Sequence, residues 1–217
     1  KKIHDKLGFS KNSIVIPNGK NIKKFIPNKK HRLNFRNSYN ISDTTKVLLC
    51  VARVDPMKDH NTLLKAFDKI RSLFPNVLLI LAGLGTEKFA NEQKVLALGT
   101  YESIQEVYKA SDIIISSSAF GEGFSNAIGE GMASGLIPIS TDVGDAKKII
   151  AETGKIIPIK NYDAMYQAIK NVINYSDLES LKYKNNARER IKVNFSKEKM
   201  INSYNNIYKS ILTDIGK

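Results

Sequence analysis

Short apolar runs alternate with segments of helical periodicity along most of the chain. This alternation is typical of a parallel sheet, because each strand-to-strand crossover places its helix on a face of the sheet. The apolar runs are residues 13–16, 47–52, 77–82, 95–98, 113–116, 136–141 and 155–159. The sequence therefore predicts an α/β domain, a parallel sheet with helices on both faces.

The segments between these runs carry helix signals. Asp59 is predicted to cap a helix that ends before Pro75, and a shorter helix contains Ile104 and Tyr108. Residues 23–39 are interpreted as a long, basic, irregular stretch. After position 162 the strands stop, and a helical extension is predicted over three segments, residues 162–175, 178–193 and 197–213.

Composition narrows the class of protein. A chain of 217 residues with 42% hydrophobic content forms one large domain or two small ones. Its one cysteine, Cys50, lies inside an apolar run, which predicts core packing and a reducing compartment. The apolar runs are far shorter than the ~20 residues that span a bilayer, and no signal-peptide pattern opens the chain. We expect a soluble or peripheral protein.

The net charge of +13 is concentrated near the start of the chain. Residues 1–40 contain eleven Lys and Arg against one acid, Asp5. Such a patch suits anionic lipid head groups, nucleic acid or phosphorylated substrates, and it is equally compatible with an ordinary solvated surface. Charge alone leaves these alternatives open.

Two glutamates eight residues apart, Glu122 and Glu130, mark the candidate site. They flank the start of a predicted helix, residues 125–134, that connects the strands 113–116 and 136–141. The loop 119–124 therefore lies at the carboxyl end of a strand and against a helix N-terminus, where free N–H groups favour an anion. Glycines at positions 121 and 123 would let a ligand approach the backbone.

These residues resemble a known family. Glu122 and Glu130 are similar to the E-x7-E motif of retaining, nucleotide-sugar-dependent glycosyltransferases of the GT-B fold, usually called family four. Further segments follow the order and the rough spacing of that family: Val15-Ile-Pro-Asn-Gly19, Val51-Ala-Arg-Val-Asp-Pro-Met-Lys58, Leu81-Ala-Gly-Leu-Gly85, Ala110-Ser-Asp112, Thr141-Asp-Val-Gly144 and Phe195-Ser196.

The resemblance implies roles for two cations and two acids. Arg53 and Lys58 would meet the negative charge that grows on the leaving diphosphate, without a metal. Glu130 would accept hydrogen bonds from the ribose hydroxyls, and Glu122 would contact the hydroxyls of the donor sugar. Arg53, Lys58 and Glu122 are thus the expected catalytic residues.

The same resemblance implies contacts from the loops. The backbone N–H groups of Phe124 and Ser125, with Gly123 beside them, would meet phosphate or sugar. Gly83 and Gly85 would let the loop after the strand 77–82 pass near the nucleotide. No metal or other cofactor is expected, because the three histidines show no ligand spacing and no cluster of carboxylates is apparent. Asp112 and Asp142 are expected to be turn and cap residues.

The family pairs two Rossmann-like domains, and this chain resembles the C-terminal one. Residues 1–217 are thus expected to form a single Rossmann-like domain that binds a UDP- or GDP-sugar, with a helical tail over residues 162–217 and without the N-terminal acceptor domain. The implied reaction is retaining hexosyl transfer to a saccharide or a lipid-linked acceptor in cell-surface polysaccharide synthesis. We expect a cytoplasmic location, at the inner face of the cytoplasmic membrane, and a fragment that is inactive alone.

Three other functions compete with this one. A hydrolase nucleophile elbow at Ser125 is disfavoured because all three histidines precede that serine. A nucleic-acid-binding domain is disfavoured because the aromatic residues of the basic segment are scattered. A non-catalytic nucleotide-sugar-binding subunit stays open, because only activity separates it from an enzyme.

The last helical segment has a continuous apolar face. The residues that form it are Met200, Ile201, Tyr204, Ile207, Tyr208, Ile211 and Leu212. In the family the last helix crosses to the other domain, so part of this face is expected to lack a partner here; the alternative is a helix packed wholly on its own domain.

Overall fold

The computed structural model describes residue 8 and residues 13–215. The lysines at positions 1, 2, 6 and 11, and His4, lie outside this part of the chain. The predicted basic patch can therefore be located only from Lys20 onward.

Six parallel strands form the sheet, as the alternating pattern predicts. They are β1 (Lys46–Val51), β2 (Val77–Ala82), β3 (Val95–Gly99), β4 (Ile113–Ser116), β5 (Ile137–Thr141) and β6 (Lys155–Ile157). Their order in the sheet is β3-β2-β1-β4-β5-β6, and every pair is parallel. The chain thus winds outward in both directions from β1 and β4, whose carboxyl ends leave a crevice between the diverging loops.

Helices cover both faces of this sheet. They are α1 (Lys29–Ser38), α2 (His60–Leu73), α3 (Ile104–Ala110), α4 (Asn126–Ala133), α5 (Ala146–Ile150), α6 (Tyr162–Ile173), α7 (Asp177–Asn194) and α8 (Lys197–Ile215), with short 3-10 turns at Pro56–Lys58, Thr86–Phe89 and Ala151–Thr153. One buried cluster joins α2 and α6 to the sheet, and a second joins α1, α3, α4, α5 and α7 to its other face. The predicted fold class is confirmed.

Side-chain caps explain several helix starts. Asp59 accepts a hydrogen bond from the backbone N–H of Thr62, as predicted for the start of α2. Ser176 and Glu179 form a reciprocal capping box at the start of α7. Ser125 occupies the N-cap position of α4, but its side chain accepts no hydrogen bond from that helix. The first turn of α4 therefore keeps unsatisfied N–H groups.

The strand predicted at residues 13–16 is wrong. Residues 13–19 have no regular structure, and Ile14 is 68% exposed. The nearest pairing is an isolated bridge between Lys20 and Ser196. One reason is that Pro17 has no N–H to donate to a neighbouring strand. A second is that an apolar run does not show whether a strand lies beside it to pair with.

The irregular stretch predicted at residues 23–39 is also wrong, because α1 occupies its second half. Asn28 caps this helix by accepting from the N–H of His31 at 3.0 Å. The helix is anchored by the buried residues Phe35 and Arg36, the latter bonded to the carboxylate of Asp112 at 3.0 Å. The polar composition of this segment gives no helical apolar pattern, because a buried ion pair contributes to the packing of the helix.

The final helix projects part of its apolar face into solvent. Tyr204, Tyr208 and Leu212 are 45%, 60% and 69% exposed. Part of this face is thus exposed and lacks a partner among the described residues, as predicted. Over the described residues, the helices fall short of the combined length and apolarity that a membrane span requires.

Candidate functional site

A cavity of about 400 Å³ lies at the carboxyl ends of β1, β2 and β4, and we call it the cleft. Its walls come from the loops that follow these strands and from the first turns of α4. The residues that line it include Ala52, Arg53, Lys58, Gly83, Leu84, Ser116, Ser117, Ser118, Glu122, Phe124, Ser125, Asn126 and Glu130. It holds most of the predicted site residues together, whereas Gly85 and Gly123 are not among those that line it.

Lys58 and Glu122 form an ion pair across the cleft. Both side chains are mostly buried, and the hydroxyl of Ser118 donates to the same Glu122 oxygen at 2.7 Å. The hydroxyl of Ser117 donates to the backbone carbonyl of Lys58 at 2.7 Å. These bonds join the loop after β1 to the loop after β4 and fix the position of the ammonium group.

Arg53 lies at the mouth of the cleft. Its side chain is 56% exposed, and its guanidinium group contacts the carboxylate of Asp55 at 3.2 Å. The pKa of the Asp55 carboxyl lies below its ordinary value, mainly because the N–H of Met57 donates to it. The Arg53 guanidinium lowers this pKa further. An exposed pair of this kind contributes little to stability, so the guanidinium is free to exchange Asp55 for another anion.

The N-terminus of α4 faces the cleft from the opposite side. The backbone N–H groups of Phe124 and Ser125 have no acceptor among the described residues. Because the side chain of Ser125 does not cap the helix, the positive end of the α4 dipole is available to an anion.

Glu130 lies one turn inside α4 and borders the cleft. The hydroxyl of Tyr108 donates to its carboxylate at 3.2 Å. Burial raises the pKa of Glu130 above its ordinary value, although nearby Lys20 opposes this effect. The site therefore contains an acceptor whose remaining lone pairs are poorly solvated.

Lys20 is a buried cation behind the α4 N-terminus that the sequence patterns did not single out. Its ammonium group donates to the side chain of Asn126 and lies 5.0 Å from the centre of the Phe124 ring. Its stem passes Gly129, where an added Cβ would come within 2.8 Å of the lysine Cε. Burial lowers the pKa of Lys20 below its ordinary value, and the nearby charge of Glu130 offsets only part of this effect.

The two glycines predicted to approach a nucleotide have other roles in the free protein. A Cβ on Gly83 would lie 2.4 Å from the carbonyl oxygen of Ala52, so this glycine allows the β1 and β2 loops to touch. A Cβ on Gly85 would contact Val54 at 3.3 Å. Gly83 borders the cleft, and Gly85 shapes the loop behind it.

Other polar groups of the cleft were missed by sequence patterns. Tyr108 was assigned only a helix position, and Ser118 follows the predicted strand 113–116 without a role. Cys50 lies at the floor, where burial raises the pKa of its thiol to about 12 and keeps it neutral. The only available signal for Asn126 was its place beside Ser125, the first residue of the predicted helix.

Asp112 and Asp142 lie away from the cleft. Asp112 is a buried carboxylate that accepts from Arg32, Arg36, Lys184 and the N–H of Val47 at 3.0–3.1 Å. Asp142 forms a surface pair with Lys147 at 2.6 Å. Asp112 thus has a structural role, as a buried hub instead of the expected turn or cap residue, and Asp142 takes part in an exposed ion pair.

Several known proteins are similar to this chain in sequence. A family model described as "Glycosyl transferases group 1" matches residues 31–190. An uncharacterized glycosyltransferase of Methanocaldococcus jannaschii is 28% identical over 200 residues, which cover 86% of this chain and 50% of that protein. The chain thus spans about half the length of the curated relatives it matches.

Solved structures are similar to this chain over slightly more than half of their own length. A glycosyltransferase from Rickettsia africae is 27% identical, with a TM-score of 0.81 over 92% of this chain and 57% of that one. Anabaena HepE in complex with UDP-glucose is 19% identical, with a TM-score of 0.78 over 92% of this chain and 57% of its own. At that identity the Anabaena protein supports the fold alone.

Proposed function

Because the chain belongs to the group 1 glycosyltransferases, we propose that the cleft binds a nucleotide-diphosphate sugar and that this chain is the donor-binding half of a retaining glycosyltransferase. The observation that carries the proposal is the placement of two cations, Arg53 and Lys58, across the cleft from the open N-terminus of α4. A diphosphate between them would meet positive charge on both sides.

The leaving diphosphate is stabilised by side chains and backbone without a metal ion. Arg53 presents a fork of donors at the mouth of the cleft, and Lys58 presents a point charge beside Glu122. The backbone N–H groups of Phe124 and Ser125 donate hydrogen bonds to the phosphate oxygens that carry the remaining charge. The backbone donors are already oriented in the free protein, which favours electrostatic stabilisation of a transition state. The two cations lie beside them, paired with Asp55 and Glu122 until a diphosphate replaces these acids.

The two glutamates divide the recognition of the donor. Glu130, held by Tyr108, accepts hydrogen bonds from the ribose hydroxyls. Glu122 contacts the sugar hydroxyls after the diphosphate has replaced it as the anionic partner of Lys58. The sugar then lies beside the acid, with its anomeric carbon near the phosphate, and is transferred with retention of configuration.

The donor is a UDP- or GDP-sugar. Anabaena HepE, which shares this fold, is solved in complex with UDP-glucose, and this supports a nucleotide sugar as the ligand. The acceptor is a saccharide or a lipid-linked saccharide for cell-surface polysaccharide synthesis, bound mostly by a preceding domain. The half-length match to relatives supports this division.

The proposed location is the inner face of the cytoplasmic membrane. Within the described part of the basic segment, Lys20 and Arg36 point inward, whereas Lys23, Lys24, Lys29 and Lys30 are exposed. Exposed lysines near an anionic leaflet are attracted to it, and this attraction decreases with salt.

Calorimetric titration of this chain tests the donor proposal. Uridine, guanosine and adenosine diphosphates and their sugar conjugates are compared, each with and without EDTA. Binding of one nucleotide series that persists in EDTA is the expected result. Lack of binding by every member, or binding that needs a divalent metal, would contradict it.

A further inference from the structure

A second cavity, of about 350 Å³, lies at the opposite edge of the sheet from the cleft, and we call it the amino-edge cavity. It is bordered by Ser111, which precedes β4, and by Ser134 and Gly135, which precede β5. The start of α1 and one side of α7 complete its wall. None of its lining residues borders the cleft, so a ligand bound here would not contact the residues proposed to hold the donor.

Cationic side chains converge on this cavity. Those that line it are Lys29, Arg32, Lys109, Lys184 and Arg188, and no acidic residue lies among the lining residues. A concave site with charges of one sign concentrates counter-ions more strongly than the same charges on an open surface.

The carboxylates behind the wall do not balance these cations. Asp112 is shared among Arg32, Lys184 and the fully buried Arg36. Glu106 pairs with Lys109 at 2.8 Å and is also bonded to His31. These two acids thus face four cations and a histidine.

Two lining cations have no carboxylate partner among the described residues. Arg188 donates to the backbone carbonyls of Phe25, Ala133 and Ile22, which carry no formal charge. Its neighbour Glu189 attracts it but is paired with Lys192. The side chain of Lys29 is exposed and forms neither an ion pair nor a hydrogen bond with the described residues. The cavity therefore has a surplus of positive charge.

Neutral donors border the same cavity. The hydroxyl of Ser134 is buried and has no hydrogen-bond partner within residues 13–215. The helix α1 begins at Lys29, and the Asn28 side chain caps only the N–H of His31, so the amides of the first two helical residues stay available. Lysine, arginine, hydroxyl and helix N–H groups together form the donor set that proteins use for phosphate.

We propose that the amino-edge cavity binds a phosphate-bearing ligand, separately from the donor. Its volume lies within the ~300–1,000 Å³ of small-molecule sites, so it accommodates a phosphorylated metabolite or the phosphate head group of a lipid. Lys29 and Lys184 supply the adaptable contacts, and Arg32 and Arg188 supply fixed positive charge.

The test is a titration of this chain with inorganic pyrophosphate, followed residue by residue through amide chemical shifts. Because the cleft is also proposed to bind diphosphate, the titration is repeated in an Arg53→Ala/Lys58→Ala background. Ser134, Gly135 and Leu181 report on the amino-edge cavity, and Phe124 and Ser125 report on the cleft. Shifts of the first group that persist in this background are expected.

A double variant, Lys29→Gln/Lys184→Gln, should weaken the pyrophosphate response at Gly135 by at least about tenfold, because it removes two charge-assisted contacts. Lys182→Gln, on the same helix but outside the lining, is the matched control and should bind like the parent chain. Lys29→Gln alone serves if the double variant does not fold, since Lys29 makes no described contact.

Vesicles distinguish the source of the phosphate. If phosphatidylglycerol vesicles bind the parent chain and bind the double variant more weakly, while phosphatidylcholine vesicles bind neither, a lipid head group is the ligand. A pyrophosphate response without vesicle binding indicates a free phosphorylated metabolite. The proposal is overturned if the double variant and Lys182→Gln behave alike in both assays; loss of the cleft response alone contradicts only the donor proposal.

Discussion

Lys58 and Glu122 are bound to each other in the free protein, although each is proposed to contact a different part of the donor. Their pairing closes one wall of the cleft, and Ser118 holds the glutamate in place. Donor binding would therefore exchange partners: the diphosphate takes Lys58 from Glu122, and the released carboxylate turns to the sugar. Separating the pair requires free energy, and this lowers the affinity of every ligand that carries a diphosphate.

Replacing Glu122 should affect the binding of the diphosphate and the binding of the sugar differently. Glu122→Gln frees Lys58, so a nucleoside diphosphate should bind as well as before or several-fold better, whereas its sugar conjugate should lose the advantage that it has over the diphosphate. Calorimetry with both ligands measures the difference. Glu102→Gln, an exposed change of the same kind, should alter neither affinity. Equal losses for both ligands in Glu122→Gln would contradict the exchange.

Removing Arg53 should weaken all diphosphate ligands. A charge-assisted hydrogen bond contributes roughly 1.5–3 kcal/mol, so Arg53→Ala should lower the affinity for UDP or GDP by about one to two orders of magnitude. The affinity should be the same with and without EDTA. Arg71→Ala, on the outer surface of α2, controls for the loss of net charge. Unchanged binding by Arg53→Ala would remove this residue from the site.

Glu130 is expected to lower the stability of the free protein at neutral pH while it increases the affinity for the donor. Burial raises its folded-state pKa, so its contribution to stability is most favourable below the unfolded pKa and is lost as the pH rises through the folded value. Glu130→Gln should therefore be at least as stable as the parent chain at pH 7 in urea unfolding, and its relative stability should rise between pH 4 and pH 7.

The same variant should bind UDP and its sugar conjugates more weakly, and by similar factors, because all of them contain the ribose. Tyr108→Phe, which removes the hydroxyl that bonds Glu130, should produce a smaller loss in the same direction. A loss confined to the sugar conjugate would place Glu130 against the sugar instead of the ribose.

Asp112 should be among the most stabilising polar residues of the fold. Burial raises the pKa of its carboxyl, but Lys184 and Arg32 more than offset this effect and leave the pKa below its ordinary value. Its stabilisation is thus present above the unfolded pKa and is lost as the pH falls through the folded one.

Asp112→Asn should cost about 3–5 kcal/mol at neutral pH, because it leaves buried Arg36 without a counter-charge. The difference from the parent chain in urea unfolding should shrink as the pH falls below about 4. Asp142→Asn, which breaks an exposed pair, should cost less than about 1 kcal/mol. Similar costs for the two variants would contradict the role of Asp112 as a buried hub.

The exposed face of α8 should become protected when a preceding domain is present. This chain alone is expected to bind the donor without transferring sugar, and a longer protein that includes the acceptor domain is expected to do both. Hydrogen exchange of the amides of residues 200–212 should slow in the longer protein. Efficient transfer by residues 1–217 alone, or identical exchange in both proteins, would contradict the division into halves.

The sequence was informative wherever a feature depended on local periodicity or on a loop that follows a strand. The strands from β1 to β6 and the helix after Asp59 were predicted within a few residues, because burial on both faces of a parallel strand leaves a continuous apolar run. The same reasoning failed at residues 13–16, where an apolar run has no strand beside it, and at α1, where a buried arginine anchors a polar helix.

The sequence by itself determined the fold class and the loops that form the cleft, because carboxyl ends of parallel strands meet at one edge of a sheet whatever their order. Only the tertiary structure decided which charges meet. Lys58 binds Glu122 and Arg36 is paired with Asp112 because the order β3-β2-β1-β4-β5-β6 brings β1 beside β4. Lys20 reaches Asn126 from a segment that is held by its bridge to Ser196. No local pattern encodes such contacts, since each joins segments more than sixty residues apart in the chain.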